Sequence, residues 1–155
     1  MMIWWFRLCV VAASSCMLVG LVGCGGPYDA TVSGVVTLDG KVMPRGTVAY
    51  QPKAGGAPAY ARIEENGTYV VHTGREEGLP LGDYFVTVTA NEPPAVTQTE
   101  SGGPPPPGKP ITPLWYRTKD TSGLSFVVSP GENEINLELT TRPPPGWNPR
   151  ARRSG

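Results

Sequence analysis

The stretch DYFVTVTA, residues 83–90, alternates apolar and polar side chains over most of its length. Its apolar face carries Tyr84, Val86, Val88 and Ala90. Thr87 and Thr89 fall on the opposite face. A period of two residues is that of a β-strand with one face in the core and one face in solvent. The stretch therefore predicts a half-buried strand of an antiparallel sheet.

Six more stretches repeat this alternation, and no convincing helical pattern follows the first 30 residues. The six are residues 31–39, 46–52, 59–64, 67–73, 124–128 and 133–140. Asp39-Gly40 and Asn66-Gly67 indicate hairpin turns, because a type I′ turn needs positive φ at both central positions. Seven strands over about 110 residues predict an all-β fold, a seven-stranded antiparallel Greek-key β-sandwich spanning residues 31–141.

Three segments of this region also carry a family resemblance. VSGVVTLDGKVMPRGTVAYQP (32–52), ARIEENGTYVV (61–71) and GLPLGDYFVTV (78–88) resemble carboxypeptidase regulatory-like domains, which have a transthyretin-type β-sandwich. The resemblance is good over residues 30–90 and looser to 140. The matching residues occupy turns and core positions, so the resemblance implies a fold and leaves the function open.

The N-terminal segment has a different composition. Residues 8–23 carry no charge, and this run of 16 residues is short for a membrane-spanning helix, which needs about 20. It fits the hydrophobic region of a secretory signal peptide. The apolar MMIWWF ahead of Arg7 is unusual for such a peptide, so an uncleaved anchor remains the alternative.

The sequence LVGC, residues 21–24, closes this run. It resembles the lipobox of bacterial lipoproteins, in which the cysteine is joined to diacylglycerol and other fatty acyl chains such as palmitate, and the chain is cut directly before it. The resemblance implies a signal peptide at 1–23, lipidation at Cys24 and a lipidated tether at 24–30. The other two cysteines lie in the removed segment, so no disulfide is expected within the mature chain.

The same resemblance implies an address and partners. It places the chain in the cell envelope, lipid-anchored, and Gly25 in place of an aspartate after the cysteine favours the outer over the inner membrane. The expected partners are the membrane, through the lipid anchor, and an envelope protein or glycan. With 13 basic and 13 acidic residues the charge is balanced, so no nucleic acid is expected as a partner.

Two segments fall outside the strand pattern. Residues 91–123 form a proline-rich loop of about 33 residues, where about 4–6 is usual. Trp115 and Tyr116 are expected to pack this loop back onto the sandwich. Residues 142–155 contain four arginines and no acid, and they are predicted to be a disordered basic tail.

Apolar side chains on the outward faces give the candidates for a binding surface. They are Val35, Val70, Phe85 and Val127. We expect the proline-rich loop to cover part of this patch through Trp115 and Tyr116, and the alternative is that the patch contacts a partner. The candidate binding residues are thus Phe85, Trp115 and Tyr116.

The sequence offers no set of residues for chemistry. It contains no nucleotide-binding glycine loop, nucleophile elbow or zinc-protease motif. The single histidine, His72, is expected to face outward, and alone it cannot form a zinc site. No catalytic residue, metal or cofactor is therefore expected. The sequence predicts a non-catalytic binding or structural module, with a transthyretin-related hydrolase and a small-ligand carrier as alternatives.

Overall fold

The computed structural model describes residues 27–95 and 102–147, and it folds this part of the chain into two β-sheets. The described helices are two four-residue segments, so strands dominate. This confirms the predicted all-β class. The predicted signal peptide, Cys24 and the start of the tether lie outside the described residues.

Eleven strand segments follow one another along the described chain. They are β1 (Ala30–Leu38), β2 (Lys41–Val42), β3 (Gly46–Pro52), β4 (Ala59–Ile63), β5 (Thr68–Val70), β6 (His72–Thr73), β7 (Glu76–Glu77), β8 (Gly82–Thr89), β9 (Leu124–Val128), β10 (Gly131–Glu134) and β11 (Leu137–Leu139). A 3₁₀ helix (Leu114–Arg117) and α1 (Lys119–Ser122) precede β9. The first sheet contains β1 with β2, β5, β10 and β11, and the second has the order β7-β6-β4-β3-β8-β9.

Each predicted stretch contains a strand, but the segments number eleven where the sequence predicts seven. β5 pairs with β1 in the first sheet, whereas β6 pairs with β4 in the second, so the chain changes sheet at the fully buried Val71. β10 and β11 are two parts of one run beside β1, interrupted at Ile135 and Asn136. Each break coincides with a change of pairing partner or of register. The alternation of side chains along one strand carries no information on either.

Two pairings contradict the all-antiparallel prediction. β1 pairs in parallel with β10 and β11, while its pairs with β2 and β5 and those of the second sheet are antiparallel. The chain leaves β9 and, two residues later, enters β10 with Gly131 opposite Ala30, the first residue of β1. The last two strands therefore run in the direction of β1. Alternation is the same in either direction, so the sequence did not reveal this.

The two sheets pack around one apolar cluster that consists largely of the residues predicted to face inward. Its largest fully buried side chains include Tyr50, Tyr69, Tyr84, Met43, Ile63, Leu79 and Leu137. Thr87 is an exception, because alternation places it outward and yet it is only 6% exposed. The 3₁₀ helix and α1 both contact β8 and form a layer on that strand, which accounts for the burial.

Gly34 allows the backbone at Ile135 to approach β1 closely within the first sheet. A Cβ at this position would overlap the carbonyl group of Ile135 and lie 3.2 Å from the ring of Tyr69. At the same place the N–H of Val35 donates to Oδ1 of Asn136 at 2.9 Å, so a side chain replaces a backbone acceptor where β10 and β11 are interrupted. Glycine is therefore required here by packing, and its φ is not the reason.

Two tyrosine hydroxyls connect the sheets through the core. The hydroxyl of Tyr69 in β5 donates to the carbonyl of Ile135 at 2.6 Å, and the hydroxyl of Tyr50 in β3 lies 2.9 Å from it. Because Tyr69 gives its proton to Ile135, it accepts from Tyr50. Burial raises the pKa of Tyr69 to about 12, and burial followed by the nearby Tyr69 raises the pKa of Tyr50 further.

The predicted loop 91–123 is closed at its base. β8 leads into Asn91, which forms an antiparallel bridge with Pro110. The returning chain is fixed by the buried Thr112, whose hydroxyl accepts the N–H of Ala90 at 2.9 Å. The long connection is thus an excursion pinned to the end of β8, followed by a segment that packs on the sandwich.

The ends of β1 define two ends of the sandwich. Ala30, beside the start of β10, marks the N-terminal end, and Leu38, opposite Leu139, marks the far end. The eight residue steps of β1 between them span about 26 Å, at about 3.3 Å per residue. Tyr116 joins the excursion to the far end, because its hydroxyl accepts the N–H of Thr140 at 3.1 Å.

The predicted Asp39-Gly40 turn also fixes the end of the last strand. Both residues have positive φ, 49° and 77°, as a type I′ turn requires. The Asp39 carboxylate accepts the hydroxyls of Thr140 and Thr141 at 3.0 and 2.6 Å and the Thr141 N–H at 3.0 Å. These hydrogen bonds, those from Thr141 above all, hold the pKa of Asp39 below its usual value.

The first residues of the predicted tail have a defined position. Trp147 packs edge-on against Trp115, with ring centroids 5.6 Å apart. This contact lies within the first residues of the predicted tail, 142–155. The remaining residues, 148–155, lie outside the described part.

The close approach at Gly34 gives the first prediction. We expect Gly34→Ala to lower the free energy of unfolding by about 1–3 kcal/mol, the range for overpacking a core, because the Ile135 backbone must move. Chemical denaturation followed by circular dichroism measures this. Ser33→Ala, an exposed neighbour on β1, is the matched control, with an expected change within about 0.5 kcal/mol. Equal effects of the two substitutions would contradict the packing requirement.

The tyrosine pair gives a prediction on pH. An unfolded tyrosine has a pKa of about 10, and Tyr69 in the fold has a raised pKa of about 12. The folded state holds the proton more tightly, so this stabilisation is complete below about pH 10 and is lost as the pH rises from about 10 through 12. Unfolding measured across that window should show the decline.

Tyr69→Phe should make this alkaline decline shallower. At neutral pH the same variant should lose about 1–3 kcal/mol of stability, because the Tyr50 hydroxyl and the Ile135 carbonyl lose a buried partner. Tyr60→Phe, at an exposed tyrosine, is the control and should leave the decline unchanged. A wild-type slope in Tyr69→Phe would show that the buried pair does not titrate as described.

Candidate functional site

Phe85 lies half-buried on the outward face of β8. The ammonium of Lys53 is 5.0 Å from its ring centroid and 3.9 Å from Oδ1 of Asp83. A cation over the face of an aromatic ring is a favourable contact. Lys53 thus contacts this ring.

Trp115 and Tyr116 lie in the 3₁₀ helix that contacts β8. Tyr116 turns into the core, where it is 6% exposed, and its hydroxyl is bound at Thr140. Trp115 packs at the edge of the core between Tyr116 and Trp147, with centroid distances of 5.9 and 5.6 Å. The excursion therefore packs back through these rings as expected, but Tyr116 is a core residue and presents no binding surface.

A different group of residues lines a cleft of about 580 Å³ on the outward face of the second sheet, towards the far end. The lining is Arg45, Gly46, Thr47, Tyr60, Ala61, Arg62, Thr89, Ala90 and Asn91. We name it the arginine cleft. It draws residues from β3, β4 and the end of β8, three neighbouring strands.

Strand register brings these side chains together. Thr47 in β3 is opposite Arg62 in β4 on one side and Thr89 in β8 on the other. Tyr60 lies two residues before Arg62 and therefore on the same face of β4. Residues opposite one another in an antiparallel pair have Cβ atoms about 4.5–5.5 Å apart. The outward face thus carries a row of Arg62, Thr47 and Thr89, with Tyr60 beside it.

The far side of the cleft is held by the base of the excursion. Asn91 follows β8, and its Oδ1 accepts from Nη2 of Arg117 at 2.7 Å. The hydrogen bond between Thr112 and Ala90 fixes the backbone one residue earlier. The rim formed by Ala90 and Asn91 is therefore rigidly attached to the 3₁₀ helix.

The charges that line the arginine cleft are both positive. Arg45 and Arg62 are exposed, and the ion pair that the structure shows among residues 27–95 and 102–147 is Lys53 with Asp83, outside this cleft. Two acids, Glu64 and Glu65, line an adjoining cleft of about 520 Å³ that shares both arginines. The two arginines therefore have acidic neighbours on the side of the adjoining cleft and none in the lining of the arginine cleft.

Alternation within residues 59–64 puts Tyr60 and Arg62 on the outward face of β4 but does not identify a site. Arg45 lies in the connection before β3, and Thr89 and Asn91 are about 40 residues further along the chain. Their approach depends on the β4-β3-β8 order, which alternation does not encode. An outward tyrosine two residues from an arginine is the signal that the sequence did contain.

Other candidate chemistry is sparse in the described chain. His72 is half-buried, and its Nδ1 lies 3.1 Å from the carbonyl oxygen of Val70. Within residues 27–95 and 102–147, no three acidic, histidine or cysteine side chains group closely enough to hold a metal ion. No helix in those ranges has the length and apolar character needed to cross a membrane.

Compared with known proteins, the chain matches no family model, no curated protein and no solved structure. Function is therefore inferred from the residues themselves.

The attachment of the cleft rim gives a prediction. We expect Thr112→Val to lower stability by about 1–3 kcal/mol, because the Ala90 N–H is left buried without an acceptor. Amide hydrogen exchange at Ala90 and Asn91 should become faster. Thr112→Ser keeps the hydroxyl and is the matched control, with near wild-type exchange. Unchanged exchange in Thr112→Val would mean that this hydrogen bond does not hold the rim.

Proposed function

We propose that the chain is a lipid-anchored module of the cell envelope that binds an envelope partner and catalyses no reaction. The observation that carries this proposal is the position of the sandwich directly after the acylation motif. β1 begins at Ala30, six residues after Cys24, so a folded domain follows the LVGC sequence with little intervening chain. A signal peptide, an acylated cysteine, a short tether and a compact domain make up such a lipoprotein.

Acyl chains would hold this module firmly. Each buried CH₂ contributes about 0.8 kcal/mol to membrane binding, so two or three chains on one cysteine anchor a small domain stably. The tether leaves the sandwich at the N-terminal end, next to Ala30 and Gly131. Under this proposal that end is nearest the membrane, and the outer membrane is the proposed location because Gly25 follows the cysteine.

We further propose that the domain is a Greek-key sandwich of the transthyretin type, like carboxypeptidase regulatory-like domains. Two features support this. Strands distant in sequence are neighbours, as β3 and β8 are in the second sheet. The chain also crosses between the sheets after β4 and again after β9. Seven principal strands would then remain if β5 with β6 and β10 with β11 each count once and the two-residue β2 and β7 are extensions.

Acylation is tested at its cysteine. In a bacterial host that processes lipoproteins, we expect the wild-type chain to lack residues 1–23 and to yield an acylated N-terminal peptide starting at Cys24 by mass spectrometry. Cys24→Ser should abolish acylation and release the domain from the membrane fraction. Cys16→Ser, within the predicted signal peptide, is the matched control and should be processed normally. An intact, unmodified segment 1–24 in the wild type would overturn the anchor.

A further inference from the structure

We propose that the arginine cleft binds a carboxylate-bearing polysaccharide. The cleft is a preformed groove on a rigid sheet face, of a size suited to two or three sugar rings, and it is about 580 Å³ in volume. Its place in the envelope rests on the proposed function, whereas its ligand chemistry rests on its own residues. Charge, an exposed aromatic ring and position within the fold each support this ligand class.

Charge selects an anion. Arg45 and Arg62 are the charged residues of the lining, and both are exposed. A guanidinium binds a carboxylate through two parallel N–H···O hydrogen bonds, a geometry that also fixes the orientation of the ligand. Two arginines in one groove suit a polymer that carries a carboxylate on successive or alternate units.

The rest of the lining suits a sugar. Tyr60 is 52% exposed, and its ring offers an apolar face on which the C–H side of a pyranose can pack. Thr47 and Thr89 continue the row that begins at Arg62 and add hydroxyl groups, and Asn91 adds an amide at the rim. An apolar platform beside hydroxyl and amide groups matches a ring with one C–H face and several hydroxyls. An acidic peptide can pair with the arginines, but it has no pyranose ring to pack on the apolar platform.

Position argues against a lipid headgroup of the anchoring membrane. Thr89 ends β8, and the excursion that follows is joined by Tyr116 to Thr140 at the far end. The tether leaves from Ala30, at the opposite end of β1, which is about 26 Å long. A module anchored through Cys24 thus holds the arginine cleft away from its own bilayer, where polymers of the envelope are the accessible anions.

The neighbouring acids sharpen the proposal. Glu64 and Glu65 line the adjoining cleft and not this one. Their negative charge lowers the attraction that the arginines exert on an anion approaching from that side. Replacing them by glutamine should therefore strengthen binding moderately, in the opposite direction to loss of an arginine.

Binding is measured by isothermal titration against four probes, with the full chain in detergent for the three soluble polymers and with Cys24→Ser without detergent for the vesicles. The probes are polygalacturonate, neutral dextran, polyglutamate and phosphatidylglycerol vesicles. We expect binding to polygalacturonate that weakens as the salt concentration rises, and markedly weaker binding to the other three. Equal affinity for polyglutamate, or arginine-dependent binding to the vesicles, would overturn the polysaccharide assignment, as would no measurable binding to polygalacturonate.

Variants assign the binding to the cleft. Arg45→Gln and Arg62→Gln should each weaken polygalacturonate binding by about tenfold or more, since each removes a charge-assisted hydrogen-bonding group. Tyr60→Ala should also weaken it. Arg75→Gln, at an exposed arginine outside the lining, is the matched control. Circular dichroism confirms that each variant is folded, and equal effects of Arg75→Gln and Arg62→Gln would reject the cleft as the site.

The proposed lipid anchor and the proposed ligand can be rejected independently of each other. Cys24→Ser binds polygalacturonate like the wild type if the cleft is correct, whether or not the wild type is acylated. A wild type that is acylated at Cys24 but does not bind the polymer leaves the proposed function intact and overturns the cleft.

Discussion

The hydrogen bond from the Tyr69 hydroxyl to the Ile135 carbonyl is the contact on which the sandwich depends most directly. It forms only because Gly34 has no side chain, which lets the backbone at Ile135 approach β1. Tyr69 then accepts from Tyr50, so the two sheets are joined by polar groups inside an apolar core. A buried hydroxyl without a partner is costly, and this requirement fixes the position of both sheets relative to each other.

The parallel course of β10 and β11 beside β1 determines the polarity of the domain. Because of this course, β1 starts with Ala30 at one end of the sandwich and β11 finishes with Leu139 at the other end. Under the proposed function, the tether and the arginine cleft lie at opposite ends, which suits a module that reaches outward from a membrane. The excursion adds to the far end through Tyr116, and Asp39 holds the last strand there through Thr141.

Inward and outward facing were predictable because they follow from a local period of two. The inward residues of residues 83–90 are buried as the sequence indicates. The same period misplaced Thr87, because burial there comes from helices some 30 residues further along the chain. Tyr116 was expected to pack on the sandwich, but the period of two did not show that it lies within the core. Contacts between distant segments depend on register and crossover, and neither leaves a periodic trace in one strand.

The amino-acid sequence by itself determined the all-β class, the inward faces of the strands and the Asp39-Gly40 turn, because each depends on neighbouring residues alone. It also contains the LVGC motif, and the acylation proposed at Cys24 depends on this local sequence and not on the fold. Only the tertiary structure decided the parallel pairing of the last strands and the meeting of Arg45 with Arg62 in one groove. The two arginines come together through the pairing of β3 with β4, and Thr89 joins them through the pairing of β3 with β8. Strand pairing and strand order are properties of the whole core.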